Sequence, residues 1–461
     1  MYFAVRVILA EDLSSRLYQM QGNFIDNINS KNDKSNASNQ HIFINESFEI
    51  NTTQFSDTVL IENDKITGIY NNNSSLDLKI DKIIDCEQNC LAPGIVDIGV
   101  KVGEPGERHK ESFKSAGVAA ANGGITTMVI RPDTNPTVDS PEILEFIYRR
   151  AVSDSIVKVL PMAALTKGRN GKEMAEIGFL KDAGAVAFTD CDQVITDNKV
   201  LLRCLTYAKG LNALIITHPQ EPILSKDACA TSGALATKLG LPSVSTFAEL
   251  IQLQRDISLI EMTNSKVHFD QVTCAESFTA LKQAKKKKLS ISAGISIHHL
   301  TLNEQDIEGY PTFFKVKPPL RNETDRMAAI EAVSSGLIDV ISSMHTPQDE
   351  ESKRLPFEAA ASGAVGLETL LPAALQLVHG GHMDLPTLWR ALSYNPAKLL
   401  GLNTGQMKVG YPADLVLFDP DKPFILDRSK LHSKSKNTPY DGRTMQGRVI
   451  QTIVAGKEVY S

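Results

Sequence analysis

Cysteine, tryptophan and histidine are scarce in this chain: 6, 1 and 10 among 461 residues. Six cysteines without a CxxC pair do not form the disulfide framework of a small secreted scaffold. Cys86 and Cys90 lie close in sequence, but no second Cys/His pair accompanies them, which argues against a structural zinc site. No apolar run approaches the roughly 18 residues of a membrane span. The N-terminal stretch Met1–Leu13 is broken by Arg6, Glu11 and Asp12 and lacks the pattern of a signal peptide. A cationic surplus is also missing. Lys plus Arg number 48 against 54 Asp plus Glu, so the chain carries no overall electrostatic footprint for nucleic acid. The expectation is a cytoplasmic protein with neither a nucleic-acid nor a membrane partner. With 42% apolar and 22% charged residues, it has the composition of a globular protein able to bury a large core.

Residues 22–55 break the pattern. GNFIDNINSKNDKSNASNQ is rich in Asn, Ser, Asp and Lys without an apolar period, and reads as a mobile surface insertion. Strand-like pieces flank it at 3–10, 57–64, 65–71 and 82–88, and others lie at 413–420 and 447–460. Short strands at both ends of a chain suggest one small β domain assembled from both termini. Between them, apolar runs end in a polar residue and a turn, and helical stretches follow. The runs are 94–102, 126–133, 157–165, 185–190, 213–218, 266–273, 289–295 and 339–345. Helical intervals are expected at 111–122, 141–153, 172–183, 243–263, 275–287 and 324–336. Repeated βα units of this kind imply a closed (β/α)8 TIM barrel, which takes about 250 residues. The expected division is 1–92 and 399–461 for the two parts of a β-sandwich domain and 93–398 for the barrel.

In a barrel of this kind the chemistry sits at the C-terminal ends of the strands. A hydrolase there needs imidazoles and carboxylates around a divalent metal, which makes hydroxide available near neutral pH. A HxH pair closing the first strand would put two imidazoles on one face. That place reads Asp97-Ile98-Gly99-Val100-Lys101, without a histidine.

Several long strings nevertheless resemble the dihydroorotases of the amidohydrolase superfamily. LAPGIVDIGVKVGEPGERHKESF (91–113) is similar to PGxxDxHxHxREPGxxHKE, and GGITTMVIRPDTNP (123–136) to GGxTTxxxMPNTNP. KVKPPLRNETDR (315–326) is similar to KVNPPLRxxxDR, and 355–369 and 433–449 match as well. The resemblance implies an amidohydrolase barrel with a small β-sandwich domain. Carried over residue by residue, it also implies a lost centre. The metal histidines of HxH fall on Gly99 and Lys101, and the arginine for the substrate carboxylate falls on Gly103. The substrate asparagines fall on Asp133 and Lys317, the bridging acid on Asp190 or, preferably, Cys191. His218 is retained, a further metal histidine falls on Gln271, the aspartate that is both ligand and general base on Met344, and the last histidine on Gln348, beside a remaining His345. Lys101 is expected to supply charge where a metal once sat, offsetting Asp97 or Asp190. His298 and His299 are read as structural.

Loss of the chemistry alongside intact loops implies a dihydroorotase-like pseudoenzyme without cofactor or metal. Such chains partner the aspartate carbamoyltransferase catalytic chain, so a homo- or hetero-oligomer is expected. Two alternatives stand beside it. One is a cyclic amidohydrolase with a rebuilt zinc site made of Asp190, Cys191, His218 and His345. The other is a pocket that senses a pyrimidine intermediate.

Overall fold

The structure, a computed structural model, describes residues 40–44, 57–71, 81–87 and 89–461. The strand expected over 3–10 lies outside them, as do 22–39 and 45–55 of the interval read as an insertion. Buried β runs alternating with amphipathic helices build a parallel barrel. Its staves begin with β6 (Ile95–Val100), β7 (Ile125–Ile130) and β8 (Lys158–Pro161), preceded in the chain by β1 (Gln40–Ile44), β2 (Asp57–Glu62), β3 (Lys65–Asn71), β4 (Lys82–Asp85) and β5 (Cys90–Pro93). The later staves are β9 (Ile215–Thr217), β12 (Val267–Phe269), β13 (Ile291–Ser296) and β14 (Val340–Ser342), with a short ladder of β10 (Ala230–Thr231) and β11 (Ser243–Val244) inserted after β9.

The fourth stave, expected at 185–190, is reduced to bridges of Phe188 with Ala163 and Ile215. β8 stops at Pro161, which has no amide hydrogen to extend a ladder. Backbone bonds still carry the barrel across the gap, from Thr189 N to Ala163 O and from Ile216 N to Phe188 O. Closure between the first and last staves comes from the Lys101 amide, which donates to His345 O at 2.8 Å. Asp97 reinforces it by accepting from the Ser343 amide at 2.8 Å and from the Ser343 hydroxyl. Val96, Ile98, Val129, Met162, Leu214, Ile216 and Val340 fill the interior, and a larger apolar layer lies between staves and helices.

Two four-stranded sheets form the β domain. One has the order β3-β2-β1-β4, and the other joins β5 to β15 (Leu415–Ile425), β16 (Thr444–Val454) and β17 (Lys457–Tyr460). Val59, Ile61, Ile66, Cys86, Leu91, Leu415, Leu417 and Ile453 form the apolar cluster shared by the two sheets. Cys86 is therefore core, and no metal cluster of His, Cys, Asp or Glu exists around it among the described residues. Trp389 ties the two units together. Its indole N–H donates to Pro93 O at 2.8 Å and its ring stacks on Phe418 with centroids 4.8 Å apart.

One expectation is corrected here. Gln40–Ile44, inside the interval read as an insertion, is an internal strand, antiparallel to β2 and parallel to β4. QHIFI carries β-prone residues, and an Asn-rich context upstream masks them. A chain lacking residues 24–44 is therefore expected to lose β4's ladder and melt about 5 °C or more below the parent, whereas removal of 24–39 alone leaves the melting temperature within a few degrees. Equal melting of the two deletions would show that β1 contributes nothing.

Candidate functional site

The stave ends surround a mouth cavity of about 300 Å³ lined by Lys101, Arg131, Asp133, Arg169, Asp192, His218, Asp270, Gln271, His298, His299, Lys317, Met344 and Gln348, among others. The residues inferred from the sequence at Lys101, Asp133, His218, Gln271, Lys317, Met344 and Gln348 are thus brought to one place. A smaller hollow of about 20 Å³ lies below it, against Gly99, Arg131, Cys191, His268 and Met344.

Arg131, which the motif comparison passed over, dominates this floor. It follows β7, and its guanidinium forks onto Asp133, Nε to Oδ1 at 3.1 Å and an NH2 group to Oδ2 at 2.8 Å. Burial disfavours its charge, but the carboxylates of Asp133, Asp192 and Asp270 outweigh that and hold it firmly protonated. The available signal was a basic residue closing a buried strand where the family string has Met. Lys101 extends the network, with Nζ 3.3 Å from Asp133 and 3.4 Å from Glu107. It does not offset Asp97 or Asp190, as expected from sequence, because both of those acids are already satisfied by hydrogen bonds elsewhere. Asp192, also unanticipated, accepts from Arg169 at 3.2 Å and Lys317 at 3.0 Å. Burial opposes its ionisation, yet Lys317 and Arg131 keep its carboxyl well below the usual range. Four cations and four acids, Glu107 included, therefore neutralise one another around the mouth, where a metalloenzyme would use bound cations.

Two glycines at positions marked by the family strings leave little room for a side chain. A Cβ added to Gly99, whose φ is +97°, would lie 2.8 Å from the Met344 sulfur. One added to Gly103 would run into the Glu107 carbonyl oxygen. Gln271 donates to Lys317 O at 3.2 Å and Gln348 to Ser362 O at 2.8 Å, so both amides are used in holding loops.

The alternative zinc set is not gathered. Among the described residues no group of three or more His, Cys, Asp or Glu is arranged to hold a metal. The Asp190 carboxylate turns to the Leu165 and Thr166 amides, each at 2.9 Å, and to the Thr166 hydroxyl. Burial, with Asp133 nearby, pushes the Cys191 thiol up to about 12, so it is protonated and a poor ligand as it stands. His345 is fully buried, accepts from the Gly366 amide at 3.1 Å through Nδ1 and turns Nε2 to Glu111 at 3.5 Å. Of these four residues only His218 lines the mouth, with Nδ1 bound to Asp270 at 3.0 Å. The mouth's imidazoles and carboxylates are not arranged around one point among the described residues, and a guanidinium and ammonium groups stand among them, which does not fit a divalent metal.

His298 and His299 lie in a short helix (Ile297–Thr301). Both rings are buried, and desolvation lowers them to about 4 and about 3, so both are neutral at physiological pH. His299 Nε2 donates to Pro318 O at 3.1 Å, which leaves its Nδ1 as a bare acceptor. Gln271 Oε1 and His218 Nε2 are likewise buried without a partner.

Comparison with known proteins agrees with this architecture. A family model described as dihydro-orotase-like matches residues 88–277, and one described as amidohydrolase family matches 377–460. The chain is 39% identical over 382 residues to a protein named dihydroorotase from Ehrlichia chaffeensis, covering 83% of this chain and 85% of that one. It is 36% identical over 407 residues to a dihydroorotase from Ehrlichia canis, covering 88% and 91%. Among solved structures it is similar to the L-hydantoinase of Arthrobacter aurescens, with a TM-score of 0.80 at 23% identity over 91% of this chain and 96% of that one. The dihydropyrimidinase of Brevibacillus agri gives 0.76 at 19% identity over 91% and 95%. A barrel with this mouth, this two-terminus β domain and these relatives belongs to the dihydroorotase-like family of amidohydrolases.

Proposed function

We propose that this chain is a non-catalytic dihydroorotase-like protein of pyrimidine biosynthesis that serves as a structural partner of the aspartate carbamoyltransferase catalytic chain. The observation that carries the reading is the charge-paired mouth: the Arg131–Asp133 fork and the Met344 side chain line it, at positions where the resemblance puts a substrate contact and the general base. A barrel maintained without its reaction is maintained for its surface. A stable partner interface buries more than about 1,000 Å² in total, so the two chains from one organism are expected to co-elute in gel filtration at micromolar concentration. Separate elution, with transferase assembly and activity the same in the presence and absence of this chain, would sink the scaffold reading.

A second reading has its own support. Gln271 Oε1, His299 Nδ1 and His218 Nε2 are unpartnered acceptors on residues lining the mouth cavity. Unsatisfied buried acceptors are costly, and a pyrimidine intermediate with N–H groups would satisfy them. In that case dihydroorotate is expected to raise the melting temperature in a saturable way. No shift at millimolar ligand would remove the sensor.

A further inference from the structure

A second cavity, of about 330 Å³, lies at the rim between the loop following Thr346, the turn Thr312–Phe314 and the segment 428–437. Each of its acids has a neighbour of its own. Asp349 faces His109 at 3.3 Å, and Glu350 pairs with Arg354 at 2.9 Å. Its one arginine, Arg428, is held by Asp441 at 3.3 Å and lies over the Phe313 ring at 5.1 Å. Three lysines remain with backbone carbonyls as their hydrogen-bond partners and no acid within ion-pair distance among the described residues. Lys353 Nζ donates to Thr312 O at 3.0 Å, Lys434 Nζ to Arg108 O at 2.8 Å, and Lys436 Nζ to Ser433 O at 2.7 Å.

Lys353 is the telling member, because it is only 3% exposed. A buried ammonium without a carboxylate is costly, and carbonyl dipoles do not cancel its charge. A second cation, Lys315, stands close behind it with carbonyl partners of its own. Burial, then Lys315, pull Lys353 down to about 7. An anion seated in the cavity would supply the missing counter-charge.

We propose that this rim cavity binds a small phosphate-bearing anion through the ammonium groups of Lys353, Lys434 and Lys436. Lysines bind phosphate as point charges, and three of them around one cavity match the several oxygens and multiple charge of a phosphate group, while Arg428 is already committed. The volume exceeds that of a single phosphate group and leaves room for an organic part beside Phe313. None of the three lysines lines the mouth cavity, so the site is independent of the scaffold reading.

The test is calorimetric titration of the full chain with pyrophosphate at constant ionic strength, with citrate as the carboxylate comparison. Saturable binding to one site is expected, weakened about tenfold or more in Lys434→Gln and further in Lys353→Met. Lys434 is exposed, so that variant reports on the site even where the buried substitution misfolds. Absence of saturable binding, or an unchanged Kd in Lys434→Gln, would overturn the site. Citrate binding as tightly as pyrophosphate would overturn its assignment to phosphate.

Discussion

Purified chain supplied with carbamoyl aspartate and excess zinc is expected to give no ring closure above the uncatalysed rate. The reaction on this fold depends on a metal that polarises the reacting group or lowers the pKa of bound water from 15.7 to about 7, and on a base placed within hydrogen-bond reach. Met344 cannot take a proton, and Gly99, Lys101 and Gln271 offer no imidazole. Losing base and metal together removes about 10⁶-fold or more of rate, the lower end of what enzymes achieve. Single reversions are expected to fail as well. A histidine at Gly99 meets the Met344 sulfur, and a side chain at Gly103 meets the Glu107 carbonyl. Elemental analysis after mild dialysis is expected to find far less than one equivalent of zinc. Zinc-dependent turnover that disappears in His218→Ala would refute both expectations and restore the enzyme.

Replacing Arg131 by methionine is expected to destabilise the protein by about 3–5 kcal/mol, the usual cost of stranding a buried charge. Asp133 would lose both bonds of the fork, while Asp192 and Asp270 would lose a nearby positive charge. Lys101, 3.3 Å from Asp133, would compensate only in part. The double variant Arg131→Met/Asp133→Asn removes the stranded charge and is expected to recover part of the loss, because removing both partners costs less than removing one. Urea midpoints read the comparison. A single variant as stable as the parent would show that the fork contributes nothing, and a double variant no better than the single one would move the cause to packing.

Much of this protein was legible from residue order. Eight apolar runs separated by helical intervals implied the barrel because strand and helix periods are local properties of the chain. The β strands at both ends implied one domain, and the strings around Gly99, Gly103 and Met344 implied the family. Three things were decided only by tertiary structure. Gln40–Ile44 is a strand because β2 and β4 lie on either side of it, and its neighbours in sequence hide that. The fourth stave is reduced to Phe188, which bridges Ala163 on one side and Ile215 on the other.

The charge pattern at the mouth was also beyond sequence. Arg131, Asp192 and Asp270 come from different strand ends and carry no shared motif, yet the barrel brings them to one floor. Asp97 and Asp190 have the same residue type but spend their oxygens on Ser343 and on the Leu165–Thr166 amides. Which acid meets which cation depends on distances of a few ångströms between residues far apart in the chain. Linear spacing does not encode those distances; barrel closure sets them, by fixing which strand ends face one another.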